Sequence, residues 1–320
     1  MAAMTAFAHL RLHTEFSVVD GTNRIDDAVA LAAKHRQPAL AITDLNNLFG
    51  TIKFYKAARG KGIKPLIGAE VMLEPLDAAA KEGNHPRVLL LVQNRQGYLN
   101  LCEMLSRAWT QNVVKAQAVI KLVWLEELGE GLIALSGAQA GPLGPALLQG
   151  DGARAADLAL RLAALFPHRF YIEVQRAGRP DDEAHVSAAV QLAARLRLPV
   201  VATHPVQFAA QDEYEAHEAR VCISDGEILS NQRRVRRFTP EQYFKSSEQM
   251  QALFADLPAA LANTVEIAKR CNITLKLGKS MLPEFPTPLV NGEKLTTEGY
   301  FRHASFDGLE MRLRHLYPNE

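Results

Sequence analysis

Short hydrophobic runs alternate with helical patterns along most of the chain. Seven of these runs have the length and composition of β-strands: Ala6–His13, Pro38–Thr43, Pro65–Leu73, Arg87–Gln93, Gly131–Ser136, Arg169–Gln175 and Leu198–His204. Most are followed by stretches of helical periodicity, such as residues 24–35, 46–60 and 181–196. Strands that alternate with helices predict parallel strands joined by crossover connections.

Several of the seven runs are apolar almost throughout, for example residues 88–92 and 199–202. This is expected of strands that are covered on both faces. The sequence therefore predicts an α/β fold, with a barrel as the first choice and a doubly wound open sheet as the second. In both architectures ligands bind at the carboxyl ends of the strands. Polar residues stand at the ends of the runs and are expected to converge on one rim: His13, Asp44, Glu70, Gln93, Ser136, Gln175 and His204.

The pattern changes after about Asn272. Residues 278–292 contain three prolines, which interrupt helices and sheets and predict an extended linker. Residues 296–316 then predict one amphipathic helix that ends before Pro318. We expect a domain over residues 1–275, and over residues 276–320 a linker and the start of a further region of a longer chain.

Composition narrows the class of protein. Of the 320 residues 48% are hydrophobic, enough to bury a large core. The formal charge is 36 − 35 = +1, which argues against a whole-surface nucleic-acid binder. The three cysteines form no CxxC pair, and no run is long and apolar enough to span a bilayer. A cytoplasmic protein without membrane association is expected.

The first run carries the most suggestive chemistry. His9 and His13, followed by Asp20, have the residue types of a metal site at a strand end, since alternate residues share one face. Arg11 lies between the two histidines, and a guanidinium repels a cation instead of binding it. The residues alone leave three possibilities: a metal site, a damaged metal site or neither.

Motifs spread over the whole chain are specific in order and spacing: HLRLHTEFSVVDG, ALAITDLNNLFG, GIKPLIGAE, QGYLNL, GLIALSG, FYIEVQRAGRP, LPVVATH, LANTVEIAKRCN and LPEFPTP. Together they resemble the N-terminal region of the bacterial DNA polymerase III alpha-subunit family, most of which is a PHP (polymerase and histidinol phosphatase) domain. The resemblance implies a distorted seven-stranded (βα) barrel. It also implies that residues 276–320 begin the polymerase palm region. Active PHP members hold divalent metals at the strand ends for phosphoester hydrolysis.

The resemblance also implies where the nine metal ligands of active members would fall: Arg11, His13, Asp20, Leu45, Glu70, Arg87, Ala138, Pro205 and Gln207. Only His13, Asp20 and Glu70 retain a ligand side chain. His204 stands one position early and is a further possible donor. Metal-dependent hydrolysis needs several ligands in fixed geometry and an open position for water. We therefore expect a degenerate site without metal, and no catalytic residue.

Two substitutions suggest what replaces the metals. Arg11 and Arg87 can supply positive charge to Asp20 and Glu70 through bidentate hydrogen bonds, because carboxylates buried without a counter-charge are costly. The alternative is that both arginines point to solvent. Glu173 is expected to cap a backbone or to pair with Arg176 or Arg179 instead of binding metal.

Three functions follow as hypotheses. The first is a catalytically silent scaffold of the replicative polymerase subunit, which docks the proofreading exonuclease and other replicase subunits, as the resemblance implies. DNA would then contact the rest of the parent chain, whose palm would use Mg²⁺, and no cofactor is expected here. The second is a residual phosphoesterase or pyrophosphatase. The third is a nucleic-acid-binding module that uses a basic loop, which more often is simply solvated: Arg233, Arg234, Arg236 and Arg237.

Overall fold

A computed structural model describes residues 6–77, 85–280 and 283–318. The chain divides into two units, residues 1–274 and 275–320. In the described part of the first unit the strands are β1 (Ala39–Ile42), β2 (Lys64–Leu73), β3 (Arg87–Val92), β4 (Val113–Val114), β5 (Gln117–Ile120), β6 (Leu132–Leu135), β7 (Phe170–Gln175) and β8 (Val200–Thr203). The helices are α1 (Ile25–Lys34), α2 (Thr51–Gly60), α3 (Arg95–Gln111), α4 (Leu122–Leu128), α5 (Gly144–Leu148), α6 (Gly152–Leu165), α7 (Asp182–Leu196), α8 (Tyr214–Asp225), α9 (Ser247–Leu253) and α10 (Pro258–Arg270).

The sheet follows the order β1-β2-β3-β6-β7-β8, and residues 8–14 complete it. His9 forms a parallel bridge with Leu40 on one side, and Leu12 forms one with Val206 beyond β8 on the other. The first predicted strand is therefore present only as isolated bridges, yet it joins the two ends of the sheet. With this segment the described residues form the predicted seven-stranded barrel, so the open sheet is excluded. The β4–β5 hairpin pairs with the end of β2.

Strand β3 departs from the all-parallel prediction. It is antiparallel to both β2 and β6, with Met72 opposite Arg87 and Glu70 opposite Leu89. Hydrophobic runs do not encode strand direction, so the sequence pattern could not reveal this reversal. As a consequence Arg87, at the start of β3, lies beside the end of β2. Gln93 is at the opposite end of the barrel, where its carbonyl accepts a hydrogen bond from the amide of Asn272.

The barrel interior is filled by alternate residues of the strands, because successive side chains of a strand point to opposite faces. Fourteen buried side chains form this inner cluster: eleven, such as Leu66, Leu89 and Ile133, come from the strands and residues 8–14, and three come from α10 and the residue that follows it. A second cluster lies between the barrel and the helices α1 and α2 and includes Leu40 and Phe54. Toward the carboxyl ends of the strands, the side chains that face the barrel interior become polar, and they lie above the core.

The second unit contains a short hairpin and one long helix. Strands β9 (Leu289–Val290) and β10 (Glu293–Lys294) pair antiparallel. Helix α11 (Thr297–Leu316) follows, and the Thr296 hydroxyl caps it by accepting a hydrogen bond from the Gly299 amide. The predicted C-terminal helix is thus confirmed. Across the described ranges, no helix has the length and hydrophobicity that crossing a bilayer requires.

Candidate functional site

Arg11 is the buried centre of a charged network at the barrel rim. Its side chain is only 5% exposed. Nη1 donates to Glu70 Oε1 at 2.5 Å, while Nε and Nη2 donate to the two oxygens of Glu173 at 2.6 and 3.1 Å. The guanidinium fork therefore clamps one carboxylate in bidentate fashion and contacts a second one, a geometry that lysine cannot reproduce.

Glu173 accepts a hydrogen bond from a backbone amide, as the sequence predicted, but its ion-pair partner differs from the predicted ones. It pairs with Arg11, whereas Arg176 pairs with Glu183 and Asp256 on the outer surface. Arg179 donates to Gln175 instead. The reason is alternation along β7. Tyr171 lies in the inner cluster, so Glu173 two residues later also points inward, and neighbouring residues in the connecting loop do not share that direction.

Further donors surround the fully buried carboxylate of Glu173. The amide of Gly137 donates to Oε2 at 2.9 Å and the amide side chain of Gln175 donates to Oε1 at 3.2 Å. The Thr203 hydroxyl also donates to Oε1. A carboxylate without solvent is tolerated only when its oxygens are hydrogen-bonded and its charge is matched. Both conditions are met here. The alternation of inward- and outward-facing side chains along β7 was the one sequence signal that could have identified Glu173 as a partner of Arg11.

Arg87 joins the remaining acids to the network. Its Nη1 lies 2.6 Å from Asp20 Oδ2 and 3.3 Å from Glu70 Oε2. The same Glu70 oxygen lies 2.9 Å from His13 Nε2. Both arginines thus point into the rim and not into solvent. Glu70 receives Arg11 on one oxygen and both Arg87 and His13 on the other.

The surrounding charges shift the pKa values of three members of this network, Glu70, Arg11 and Arg87. Burial alone would raise the pKa of Glu70, but Arg11 and Arg87, together with the hydrogen bond from His13, hold it well below its ordinary value. Burial would lower the pKa of Arg11, but the attraction of Glu173 and Glu70 outweighs it and raises the pKa. The pKa of Arg87 is raised in the same way, with burial opposing Glu70 and Asp20. Each side chain is therefore held in its charged form.

The two other candidate histidines do not face the rim. His9 packs against Phe7 and Phe244, and its Nε2 bonds the carbonyl of Lys245 at 2.8 Å. His204 Nε2 bonds the carbonyl of Glu241. Arg11 and His13 share the rim face as expected, since both contact Glu70, but the prediction is wrong for His9. Residues 8–14 bridge their neighbours only singly and lack regular strand alternation.

The other positions matched to family ligands carry no strong donor toward a metal. Leu45 and Ala138 are apolar, and Ala138 begins a 3-10 turn in the left-handed region, at φ 49°. Pro205 and Gln207 line the rim cleft. Among the described residues, no group of three or more His, Cys, Asp or Glu side chains is arranged to hold a metal ion. The oxygens of Glu70 face arginines and a histidine, so the residues present do not fit the metal cluster that the family resemblance implies.

A cleft of about 370 Å³ opens above the network. Its lining combines acids, amides and four arginines: Arg11, Asp20, Glu70, Arg87, Gly137, Gln139, Ala140, Gln175, Arg179, Pro205, Gln207, Arg237 and Phe238. The sequence did not predict that Arg179 lines this cleft. Within the described residues no carboxylate forms an ion pair with it. Burial lowers the pKa of Arg179, and the nearby Asp182 only partly offsets this.

The basic loop at residues 233–237 is only partly solvated. Arg234 Nη1 contacts Glu218 Oε2 of α8 at 2.5 Å, with both side chains nearly buried. Arg237 Nη2 donates to Asp225 at 2.8 Å and lines the cleft. Arg233 and Arg236 are exposed. The expectation of a freely solvated loop is therefore wrong for Arg234, because Glu218 on α8 draws it inward.

The chain has matches among known protein families, curated proteins and solved structures. A family model described as "PHP domain" matches residues 9–177. The DNA polymerase III subunit alpha of Pseudomonas aeruginosa is 49% identical over 98% of this chain and 26% of its own length. That of Escherichia coli K12 is 45% identical over 98% and 26%. The chain thus spans about a quarter of these relatives. An amidohydrolase structure from Chromobacterium violaceum, with bound sulfate and no metal, covers 67% of this chain and 97% of its own at 15% identity and a TM-score of 0.46.

Proposed function

Because this chain belongs to the PHP domain family, we propose that it forms the N-terminal domain of a replicative DNA polymerase alpha subunit and is itself catalytically silent. The observation that supports the proposed lack of catalytic activity is the position of Arg11. Its guanidinium lies between Glu70 and Glu173, where it supplies positive charge to both acids. A hydrolytic metal would need those oxygens free and an open position for water.

The role that remains is that of a scaffold. The domain has a large core and a rim cross-linked by buried charges, which suits a platform for other subunits. We propose that it docks the proofreading exonuclease and other replicase subunits. DNA contacts and Mg²⁺-dependent polymerisation would belong to the rest of the parent chain. The proposed compartment is the cytoplasm.

The test combines metal content with activity. Protein purified without added metal is analysed for zinc, manganese and iron, and then assayed with bis(p-nitrophenyl) phosphate and with pyrophosphate. We expect less than stoichiometric metal and background hydrolysis that His13→Ala does not change. Two or more tightly bound metals per chain, or turnover that His13→Ala abolishes, would revive the phosphoesterase hypothesis.

A further inference from the structure

The loops at the amino-terminal end of the barrel, opposite the rim, are rich in basic residues. Five of these loops precede parallel strands, one follows the antiparallel β3 and one follows α10: residues 35–38, 60–64, 129–131, 166–169, 197–199, 93–95 and 270–274. They are called the basal loops below. Together they contain seven Lys or Arg residues and one acid, Glu130, so their formal charge is 7 − 1 = +6, whereas the whole chain has +1.

Hydrogen bonds join the basal loops into one surface. The side-chain oxygen of Asn272 accepts from Lys64 Nζ at 2.8 Å, and the Asn272 amide donates to the carbonyl of Gln93 at 2.7 Å. Arg270 Nη2 donates to the carbonyl of His168 at 2.8 Å. Strand register brings in further loops, because β1 begins beside β2 and β8 begins beside β7. The basic residues therefore lie at the same end of the first unit.

Four of the basal cations are exposed and have no acidic partner. Within the ranges that the structure describes, none of the four forms an ion pair with a carboxylate: Arg36, Lys61, Arg95 and Arg197. A cation without a partner on its own chain is free to contact an anion from outside.

The other three basal cations, Lys64, Arg169 and Arg270, are half-buried. They bond carbonyl, hydroxyl and amide oxygens and leave their charge unmatched. Burial lowers the pKa of Arg169, and the charge of Arg270 adds to this shift although Glu130 opposes it. Like charges thus repel each other at this end of the barrel, and a bound polyanion would relieve the repulsion.

A cavity of about 420 Å³ opens among these residues. Its charged lining residues are Arg59 at the end of α2 and Lys64, and Asn272 adds an amide. A concave surface that is lined by charges of one sign concentrates counter-ions from solution.

The chemistry of the basal loops favours one class of polyanion. None of their residues is a large hydrophobic side chain exposed to solvent. Protein interfaces depend on apolar or aromatic anchors, and single-stranded nucleic acid is bound by aromatic rings that stack on its bases. The phosphates of a duplex require only cations and hydrogen-bond donors.

We infer that the basal loops bind the phosphate backbone of double-stranded DNA without preference for base sequence. This contact adds to the DNA contacts proposed for the rest of the parent chain. It does not depend on the docking of other subunits, so the two can fail independently.

Fluorescence anisotropy of a labelled duplex of about 20 base pairs, titrated with the 320-residue chain, tests this site. At about 150 mM NaCl the parent should bind with a Kd between about 1 and 100 μM, the range of non-specific DNA binding. Lys61→Glu with Arg95→Glu should weaken binding by about tenfold or more. The matched control is Arg233→Glu with Arg236→Glu, which makes the same change of net charge on another surface and should leave the affinity unchanged, because distant charges are screened at this salt.

A milder variant separates the loss of contacts from the introduction of repulsion. Lys61→Gln with Arg95→Gln should lower the slope of log affinity against log salt concentration by about 2, since each lost phosphate contact removes about 0.9. Matching thermal unfolding curves establish that all variants are folded. An unchanged slope and affinity in both variants of Lys61 and Arg95 would refute the site.

Three further results would overturn the inference. The parent might fail to bind the duplex even at about 50 mM NaCl, where phosphate contacts are strongest. The Arg233 and Arg236 variant could lose affinity while the Lys61 and Arg95 variant keeps it, which would assign DNA binding to the other loop. A single strand of the same length, or poly-glutamate of the same total charge, could bind more tightly than the duplex, which would identify a different occupant.

Discussion

Arg11 and Glu173 are 162 positions apart in the chain, yet Arg11 Nε donates to Glu173 Oε1 at 2.6 Å. The contact joins the N-terminal segment to β7 across the mouth of the barrel. Glu173 is fully buried and Arg11 nearly so. An ion pair in this position constrains the geometry of the rim, and removing either partner leaves an uncompensated charge in the protein interior.

Replacing Arg11 should therefore be costly. Arg11→Ala is expected to lower the free energy of unfolding by about 3–5 kcal/mol, the range for breaking a buried pair by deleting one partner. Urea unfolding followed by circular dichroism measures the change. Lys269→Ala is the matched control, because Lys269 pairs with Glu266 while both side chains are more than half exposed. Its effect should be about 0–1 kcal/mol. Equal stabilities for Arg11→Ala and the parent would contradict a structural role for the pair.

Restoring one family ligand should not restore a metal site. Arg11→His replaces the cation by a potential ligand, but Leu45, Ala138 and Pro205 still offer no donor side chain. The variant should lose stability, because Glu173 loses its counter-charge, and should gain no metal-dependent hydrolysis of bis(p-nitrophenyl) phosphate. The assay is run with added Zn²⁺ and with added Mn²⁺. Hydrolysis that rises with either metal in the variant alone would show that the rim is closer to an active site than we propose.

Stability should fall as the pH falls below neutrality. Burial lowers the pKa of His9 from 6.5 to about 4, and the hydrogen bond to the Lys245 carbonyl opposes this shift only in part. The unfolded chain therefore binds a proton below pH 6.5 that the folded chain does not take up until about pH 4. Folding stability is lost as pH falls through that window. At about 1.4 kcal/mol per unit of pKa difference, His9 alone contributes roughly 3 kcal/mol.

Urea unfolding at several pH values between 7 and 4 measures this dependence. His9→Gln should reduce the slope of unfolding free energy against pH. The slope should not vanish, because burial also lowers the pKa of His204 well below its ordinary value. The exposed His168 provides the control, and His168→Asn should leave the slope as it is. Identical slopes for His9→Gln and the parent would exclude His9 as a source of the pH dependence.

Gly21 should be required for the position of the rim residues. A Cβ atom at Gly21 would lie 2.7 Å from backbone atoms of His13 and Thr14, closer than such atoms approach. Gly21→Ala must therefore displace the backbone beside Asp20, and should destabilise the protein by about 1–3 kcal/mol, as overpacking does. Gly60→Ala is the opposite case, since nothing lies within 4 Å of its added Cβ at the end of α2. That variant should be unchanged or more stable by up to about 1 kcal/mol. Thermal unfolding of both variants compares the two.

The sequence by itself determined the α/β class and most strand positions. The apolar runs at residues 65–73 and 87–93 became β2 and β3 within one or two residues, because a strand buried on both faces must be hydrophobic along its length. The helices at 24–35 and 181–196 were predicted equally well. Helix α2 begins at Thr51, five residues later than predicted, because residues 46–50 form the turn that leads into it. The absence of a donor side chain at Leu45, Ala138 and Pro205 could also be read from the sequence, and a side chain without a donor atom cannot bind metal in any fold.

The sequence analysis predicted that Arg11 and Arg87 pair with Asp20 and Glu70, but only the tertiary structure decided the individual contacts and added Glu173. The direction of β3 places Arg87 beside Asp20, and the alternation of β7 places Glu173 against Arg11. The irregular segment 8–14 sends His9 outward although His13, four residues later, reaches Glu70. Hydrophobic patterning reports burial along one strand at a time. Ion-pair partners depend on strand direction, register and barrel closure, which are set by contacts between residues far apart in the chain.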